Sequence, residues 1–180
     1  MKKILLILLC VPLIGLGQNK NEENKQLSKM ELFTSKTGSI IKYIDYSVTD
    51  IKGIYSTGEA KVRKVIVGES IGYFFQISKK GKYSTVTASI EYSDLLELIK
   101  AINRLKEDYI LDAISQGDYL ENKFVTDDGF QIGYYIRNEK TGWYITLEKY
   151  SSDNNIFIGE ITDVESSFIE AKNKIDTLRQ

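Results

Sequence analysis

The sequence predicts an α+β fold made of two successive β4-α units, with a largely antiparallel sheet and two helices packed on one face. Three observations lead to this prediction. Residues 72–83 and 133–144 match without a gap, with Gly, Tyr, Lys, Gly and Tyr at the same spacing. Alternating apolar and polar residues around both copies are typical of strands with one buried face. Apolar residues at helical spacing follow each set of strands.

The first 17 residues have the pattern of a secretory signal peptide. Lys2 and Lys3 are followed by an apolar run over residues 4–16 and by a small-x-small cleavage site that ends at Gly17. The run is too short to span a membrane, so we expect no membrane span after cleavage. Its brevity is typical of a Gram-negative bacterial signal, which predicts a periplasmic or extracellular protein.

The composition excludes several kinds of chemistry. Cys10 is the only cysteine, Pro12 is the only proline, and the chain has no histidine. Cleavage after Gly17 would leave no Cys, His or Pro, which excludes disulfides, Ser-His and Cys-His catalysis and the usual zinc sites. A formal charge of −1 gives no indication of nucleic-acid binding. Lipid attachment at Cys10 stays an alternative, although Leu9 stands where such signals have a small residue.

The remaining chain divides into a leader and two halves. Residues 18–30 are polar and predict a flexible leader. Residues 31–118 and 119–180 each read as a β-meander followed by a helix, and we expect both halves to form one compact domain. Ser93 predicts the start of the first helix, and the capping box from Thr162 predicts the start of the second. The predicted strands cover residues 40–48, 53–67, 71–78, 85–90, 122–126, 130–137, 143–150 and 156–161.

Alternation along the repeated strands separates two faces of the sheet. If residues such as Phe75 and Tyr134 point at the helices, their neighbours point away from them. A helix-free face rich in tyrosine and threonine is typical of surfaces that bind protein or glycan. The alternative is that these residues reflect strand propensity on a solvated or covered face. The candidate binding residues on this face are Phe74, Tyr83, Tyr135, Tyr144 and Tyr150.

The charged residues in the predicted turns are typical of hairpin turns and solvated surface rather than of metal or phosphate sites. Asp127-Asp128-Gly129 lacks the alternating spacing of a calcium loop and predicts a hairpin turn. Lys79 and Lys80 are interpreted as turn charges that aid solubility. No glycine-rich phosphate loop occurs. We therefore expect no metal and no cofactor.

Some segments resemble known proteins. Residues 87–96, 119–124 and 127–130 are similar to segments of short uncharacterised secreted bacterial proteins, a resemblance that implies no activity. The duplicated β4-α plan resembles in outline the secreted proteinaceous inhibitors of the β-lactamase-inhibitor type. That resemblance implies a concave sheet face that grips an enzyme.

These observations favour a secreted or periplasmic, non-enzymatic binding protein that contacts a protein or glycan through its helix-free sheet face. A carboxylate-dependent hydrolase acting on envelope glycans or peptides is the alternative. That alternative requires a cleft in which two carboxyl groups converge and one has a raised pKa. A third possibility is pairing of an exposed strand edge with a partner.

Overall fold

The computed structural model describes residues 27–82, 84–114, 117–138, 140–149 and 153–180, so the predicted signal peptide lies outside the described residues. The helices are α1 (Lys29–Thr34), α2 (Tyr92–Asp112) and α3 (Ile161–Arg179). The strands are β1 (Ile41–Ser47), β2 (Ile51–Lys52), β3 (Thr57–Val67), β4 (Ser70–Lys80), β5 (Thr85–Glu91), β6 (Tyr119–Val125), β7 (Gln131–Arg137), β8 (Lys140–Thr146) and β9 (Asn155–Ile158).

The α+β class is confirmed, and the strands form two antiparallel sheets. The first has the order β1-β3-β4-β5, with β2 also paired to β3. The second has the order β6-β7-β8-β9. The sheets join where Gly53 bridges Ile158 and the backbone N–H of Ile54 donates to the Phe157 carbonyl at 2.8 Å.

Both sheets share one apolar core with α2 and α3. The ring of Phe168 on α3 packs at 5.1 Å from Phe75 of the first sheet and at 6.1 Å from Phe130 in the second half. Leu95, Leu98, Ile102 and Leu105 form the buried stripe of α2. Because helix and strand residues interleave in one core, the two halves bury each other's apolar surface.

Both predicted helix N-caps were wrong by two residues. The N-cap residues are Glu91 and Glu160 rather than Ser93 and Thr162, and neither glutamate side chain makes a capping hydrogen bond. Glu91 is also the last residue of β5, so the extended chain enters α2 directly.

The structure contains a short helix, α1, that the sequence did not predict. Ser28 and Glu31 form a capping box at its start, within the stretch that was expected to be a flexible leader. Phe33 packs edge-to-face on Phe74 at 6.0 Å, over a small second cluster that includes Val65. Part of the helix-free face of the first sheet is therefore covered. Residues 18–26 of the predicted leader lie outside the described residues.

The repeated twelve residues do not mark equivalent strands. The first copy begins on β4, the third strand along the order of its sheet, whereas the second copy begins on β7, the second strand of its sheet. Gly81 lies in the turn after β4, where its N–H donates to the Ser84 carbonyl, but Gly142 lies within β8. In the described residues, α2 follows five strands and α3 follows four, so a set of antiparallel strands followed by a helix recurs. The twelve-residue match, however, does not align equivalent strands of the two halves.

Lys79 joins the two sheets and is not the solvated turn charge that the sequence predicted. Only 8% of this residue is exposed. Its Nζ donates to the Asp153 carboxylate at 2.7 Å and to the carbonyls of Asp153 and Asn155 at 3.1 and 2.9 Å. The end of β4 is thereby fixed to the start of β9.

Replacing Lys79 with methionine is expected to lower the free energy of unfolding by about 1–3 kcal/mol, because charge-assisted hydrogen bonds at a buried site are lost. Urea unfolding measures the change. Lys80→Met is the matched control, since its pair with Glu59 is exposed and should leave the unfolding midpoint unchanged. Equal midpoints for the two variants would contradict the role given to Lys79.

Candidate functional site

The predicted binding residues are not equally accessible. Phe74 is 1% exposed beneath α1, and Tyr144 is 8% exposed with its hydroxyl donating to Glu121 at 2.5 Å. Tyr135 is partly exposed and lines a cleft in the second half. Tyr83 and Tyr150 lie outside the described residues. Phe74 therefore does not offer a contact surface, and Tyr144 offers very little.

Two reciprocal glycine–tyrosine pairs position these rings on the second sheet. Tyr135 lies opposite Gly142, and Gly133 lies opposite Tyr144. A Cβ at Gly142 would be 2.7 Å from the Cζ and Oη of Tyr135, so the ring of Tyr135 occupies the space above that glycine. The absence of a side chain at Gly142 allows the ring of Tyr135 to lie across β8, whereas the missing side chain of Gly133 leaves room for the backbone of β6.

An aromatic cleft of about 560 Å³ opens beside Tyr135. In the described part of the chain, five aromatic side chains line it, contributed by the 53–56 turn, α2, β7, β8 and β9. They are Tyr55, Tyr109, Tyr135, Trp143 and Phe157. The remaining lining residues include Ile54, Lys106, Ile110, Thr141, Gly142 and Glu160. A concave aromatic site with a few polar groups is the usual form of a binding site.

Three packed aromatic rings support the floor of the aromatic cleft. Tyr134, which is fully buried, lies 4.9 Å from Trp143, and Tyr109 lies 5.1 Å from Tyr134 and 5.4 Å from Trp143 between ring centroids. The hydroxyl of Tyr109 hydrogen-bonds Thr141 at 2.8 Å. The hydroxyl of Tyr134 donates to Asp112 at 2.6 Å. These bonds tie α2 to the second sheet and make the floor rigid.

Burial, reinforced by the hydrogen bond to Asp112, raises the pKa of Tyr134 to about 12. The neutral phenol is favoured in the folded state, so its stabilising contribution is present below pH 10.0 and is lost as the pH rises through about 12. The difference in unfolding free energy between the native protein and Tyr134→Phe should shrink across this range. Urea unfolding at successive pH values measures it, and a difference that is independent of pH would contradict the assignment.

The outer wall of the aromatic cleft exposes large apolar side chains. Tyr55 is 85% exposed, Ile110 is 72% exposed and Ile54 is 58% exposed. The ring of Phe157 meets Tyr55 edge-to-face at 6.5 Å. Leu111 and Ile114, at and just after the end of α2, are also exposed. A contiguous exposed apolar surface of this kind marks interaction sites more often than isolated surface residues do.

A second cavity, of about 520 Å³, lies where α1 meets β5 and the turn between β6 and β7. Asp94, Asp127 and Asp128 line it, and burial raises the pKa of Asp128. All three carboxylates are close to Lys29, however. Its Nζ lies 2.6 Å from Asp94, and its backbone N–H donates to both oxygens of Asp128 at 3.0 and 3.1 Å. These acids anchor α1.

Within the described ranges, no group of acidic side chains is arranged to hold a metal ion. The Asp127-Asp128-Gly129 segment forms the turn between β6 and β7, with the Gly129 N–H donating to Thr126 at 2.9 Å. Likewise, no helix in the described part of the chain is long and apolar enough to cross a membrane.

Comparison of the chain with protein-family models, with curated proteins and with solved structures finds no match. The resemblance to secreted inhibitors and to short secreted proteins therefore stays a prediction.

Sequence reasoning found one of the five aromatic residues of the cleft as a candidate contact. Tyr135 was found because strand alternation places it on the helix-free face. Tyr55 and Phe157 were missed because they come from segments about a hundred residues apart that meet only through the bridge between the sheets. Tyr109 was missed because it follows the buried stripe of α2. An aromatic residue in the turn at 53–56 was the one local signal.

Proposed function

We propose that this chain is a secreted or periplasmic, non-enzymatic binding protein and that the aromatic cleft is its contact site for a protein partner. The observation that carries the proposal is the exposure of Tyr55, Ile54 and Ile110 around a preformed concave site. Aromatic side chains supply large, rigid contact areas and are enriched among residues that dominate binding energy.

The aliphatic wall favours a protein over a glycan. Ile54 and Ile110 have no hydrogen-bonding side-chain groups, and both are exposed where they line the aromatic cleft. Such a surface is suited to apolar side chains, whereas a sugar presents hydroxyl groups that require polar partners. Among the described residues that line the cleft, the lysine is Lys106, which is already paired with Glu165 at 2.8 Å.

Site-specific cross-linking tests the proposal. A photoreactive phenylalanine analogue at Tyr55 is expected to capture a discrete protein from the envelope fraction of the producing cell. The same analogue at Tyr43, a 46%-exposed tyrosine on β1, is the matched control. Capture at position 55 but not at 43 supports the proposal. Equal capture at both positions, or none at position 55, would refute it.

The hydrolase alternative has one observation in its favour, the raised pKa of Asp128 in a cavity that also contains Asp94. The Asp128→Asn variant distinguishes the binding-protein hypothesis from the hydrolase hypothesis. If Asp128 only anchors α1, the variant loses stability and the protein cleaves no envelope glycan or peptide before or after the change. Cleavage by the native protein that disappears in the variant would favour the hydrolase.

A further inference from the structure

We infer that the partner enters the aromatic cleft as an extended peptide, which adds as an antiparallel strand to the edge of β8 and places an acidic group beside Arg137 and Lys140. This inference rests on the proposed function and specifies the chemistry of the partner segment.

The edge of β8 is incomplete on the side of the aromatic cleft. β9 pairs with β8 only from Trp143 to Thr146, so residues 140–142 extend past the end of β9. Among the described residues, no other strand pairs with this edge. Thr141 and Gly142 line the cleft, as do Gly159 and Glu160, where the chain leaves β9. An exposed strand edge offers backbone hydrogen bonds that an added strand can complete.

The side chains around this edge suit an extended peptide. Tyr135 lies over Gly142 on the helix-free side of β8, and Tyr109 bonds Thr141 on the side of α2. Successive residues of a strand point to opposite faces of its sheet. A peptide beside residues 140–142 would therefore place alternate side chains against Tyr135 with Phe157 and against Tyr109 with Ile110. A helix presents only one face at a time and would use half of these contacts.

The charges fix the direction of the peptide. Arg137 and Lys140 lie opposite each other at the end of the β7–β8 hairpin, and both are exposed. Within the described ranges, neither side chain forms an ion pair with an acid. A strand that continues the antiparallel direction of β9 along β8 has its C-terminal end near Lys140. An acidic side chain or a terminal carboxylate at that end complements the two cations.

Selection of peptides tests the inference. A phage-displayed library of random linear dodecapeptides is selected on the full folded protein and depleted on the Tyr55→Ala/Phe157→Ala variant. We expect enriched sequences in which apolar or aromatic residues alternate with polar ones and end in Asp or Glu. Trp143 is the only tryptophan of the chain, so its emission reports binding of a synthetic enriched peptide at the cleft.

Two further changes, one in the peptide backbone and one in the charges of the protein, distinguish strand addition from other modes of peptide binding. N-methylation of alternate backbone amides in the peptide, and charge reversal by Arg137→Glu with Lys140→Glu, should each weaken binding at least tenfold. Lys42→Glu, at an exposed lysine on β1, is the matched charge control and should have no effect. Insensitivity to both changes, or a library without cleft-dependent peptides, would overturn the inference. Capture at position 55 would still support the proposed function in that case, whereas absence of capture would remove both.

Discussion

Replacing Gly133 with alanine is expected to lower the free energy of unfolding by about 3 kcal/mol, at the upper end of the cost of inserting a carbon into a packed site. The added Cβ would collide with the Asn122 carbonyl oxygen and would lie 2.6 Å from the Cβ of Lys123 and 2.9 Å from its Cα. These atoms belong to the backbone and first side-chain carbon of β6, so they cannot move without disturbing the pairing of β6 with β7.

Urea unfolding measures this change, and Gly117→Ala is the control. Among the described residues, a Cβ at Gly117 would meet the Tyr119 carbonyl oxygen at 3.7 Å, an ordinary contact. If both variants unfold at the same urea concentration, the close approach of β6 to Gly133 is not as described.

Replacing Tyr55 and Phe157 together with alanine is expected to reduce the affinity for the protein captured at position 55 at least about thirtyfold, which corresponds to roughly 2 kcal/mol for a residue that dominates an interface. The two rings form the exposed wall of the aromatic cleft and belong to neither core cluster. The fold should therefore survive their removal.

Calorimetric titration of the purified partner measures the loss of affinity, and circular dichroism checks the fold. Tyr43→Ala with Ile71→Ala removes two comparably exposed apolar side chains, 46% and 49% exposed, from the first sheet. Loss of affinity in this control pair, or full affinity in the cleft variant, would contradict the placement of the site.

The sequence predicted the fold class because alternation and helical stripes are local patterns. It could not predict that Phe74 is covered, since α1 is a six-residue helix in a polar stretch and its contact with Phe74 depends on Phe33, far away in the chain. The repeat also misled for a physical reason. Gly142 admits the ring of Tyr135 across β8, and Gly133 admits the close approach of β6. The ideal Cβ position of Gly72, in contrast, lies 3.1 Å from the ring of Phe33. Glycines of the two copies of the repeat therefore make room for different neighbouring groups.

The aromatic cleft was predictable only in part. Alternation identifies Tyr135 as a residue of the helix-free face. The cleft itself exists because the turn at 53–56 reaches β9 and because β9 pairs with β8 only as far as Trp143, which leaves residues 140–142 uncovered. Both features depend on pairing between distant segments. The charge of Lys79 was misread for the same reason, since its partners Asp153 and Asn155 are brought to it only by the joining of the two sheets.

The central claim, that the aromatic cleft is the contact site, is tested most directly by fluorine NMR of the protein labelled with 5-fluorotryptophan. Trp143 is the only tryptophan, so the spectrum has one resonance from the floor of the cleft. Addition of the protein captured at position 55 is expected to shift or broaden this resonance, and the Tyr55→Ala/Phe157→Ala variant should show no such change at the same concentration. A resonance that stays unchanged while the two proteins co-elute as a complex would contradict the claim.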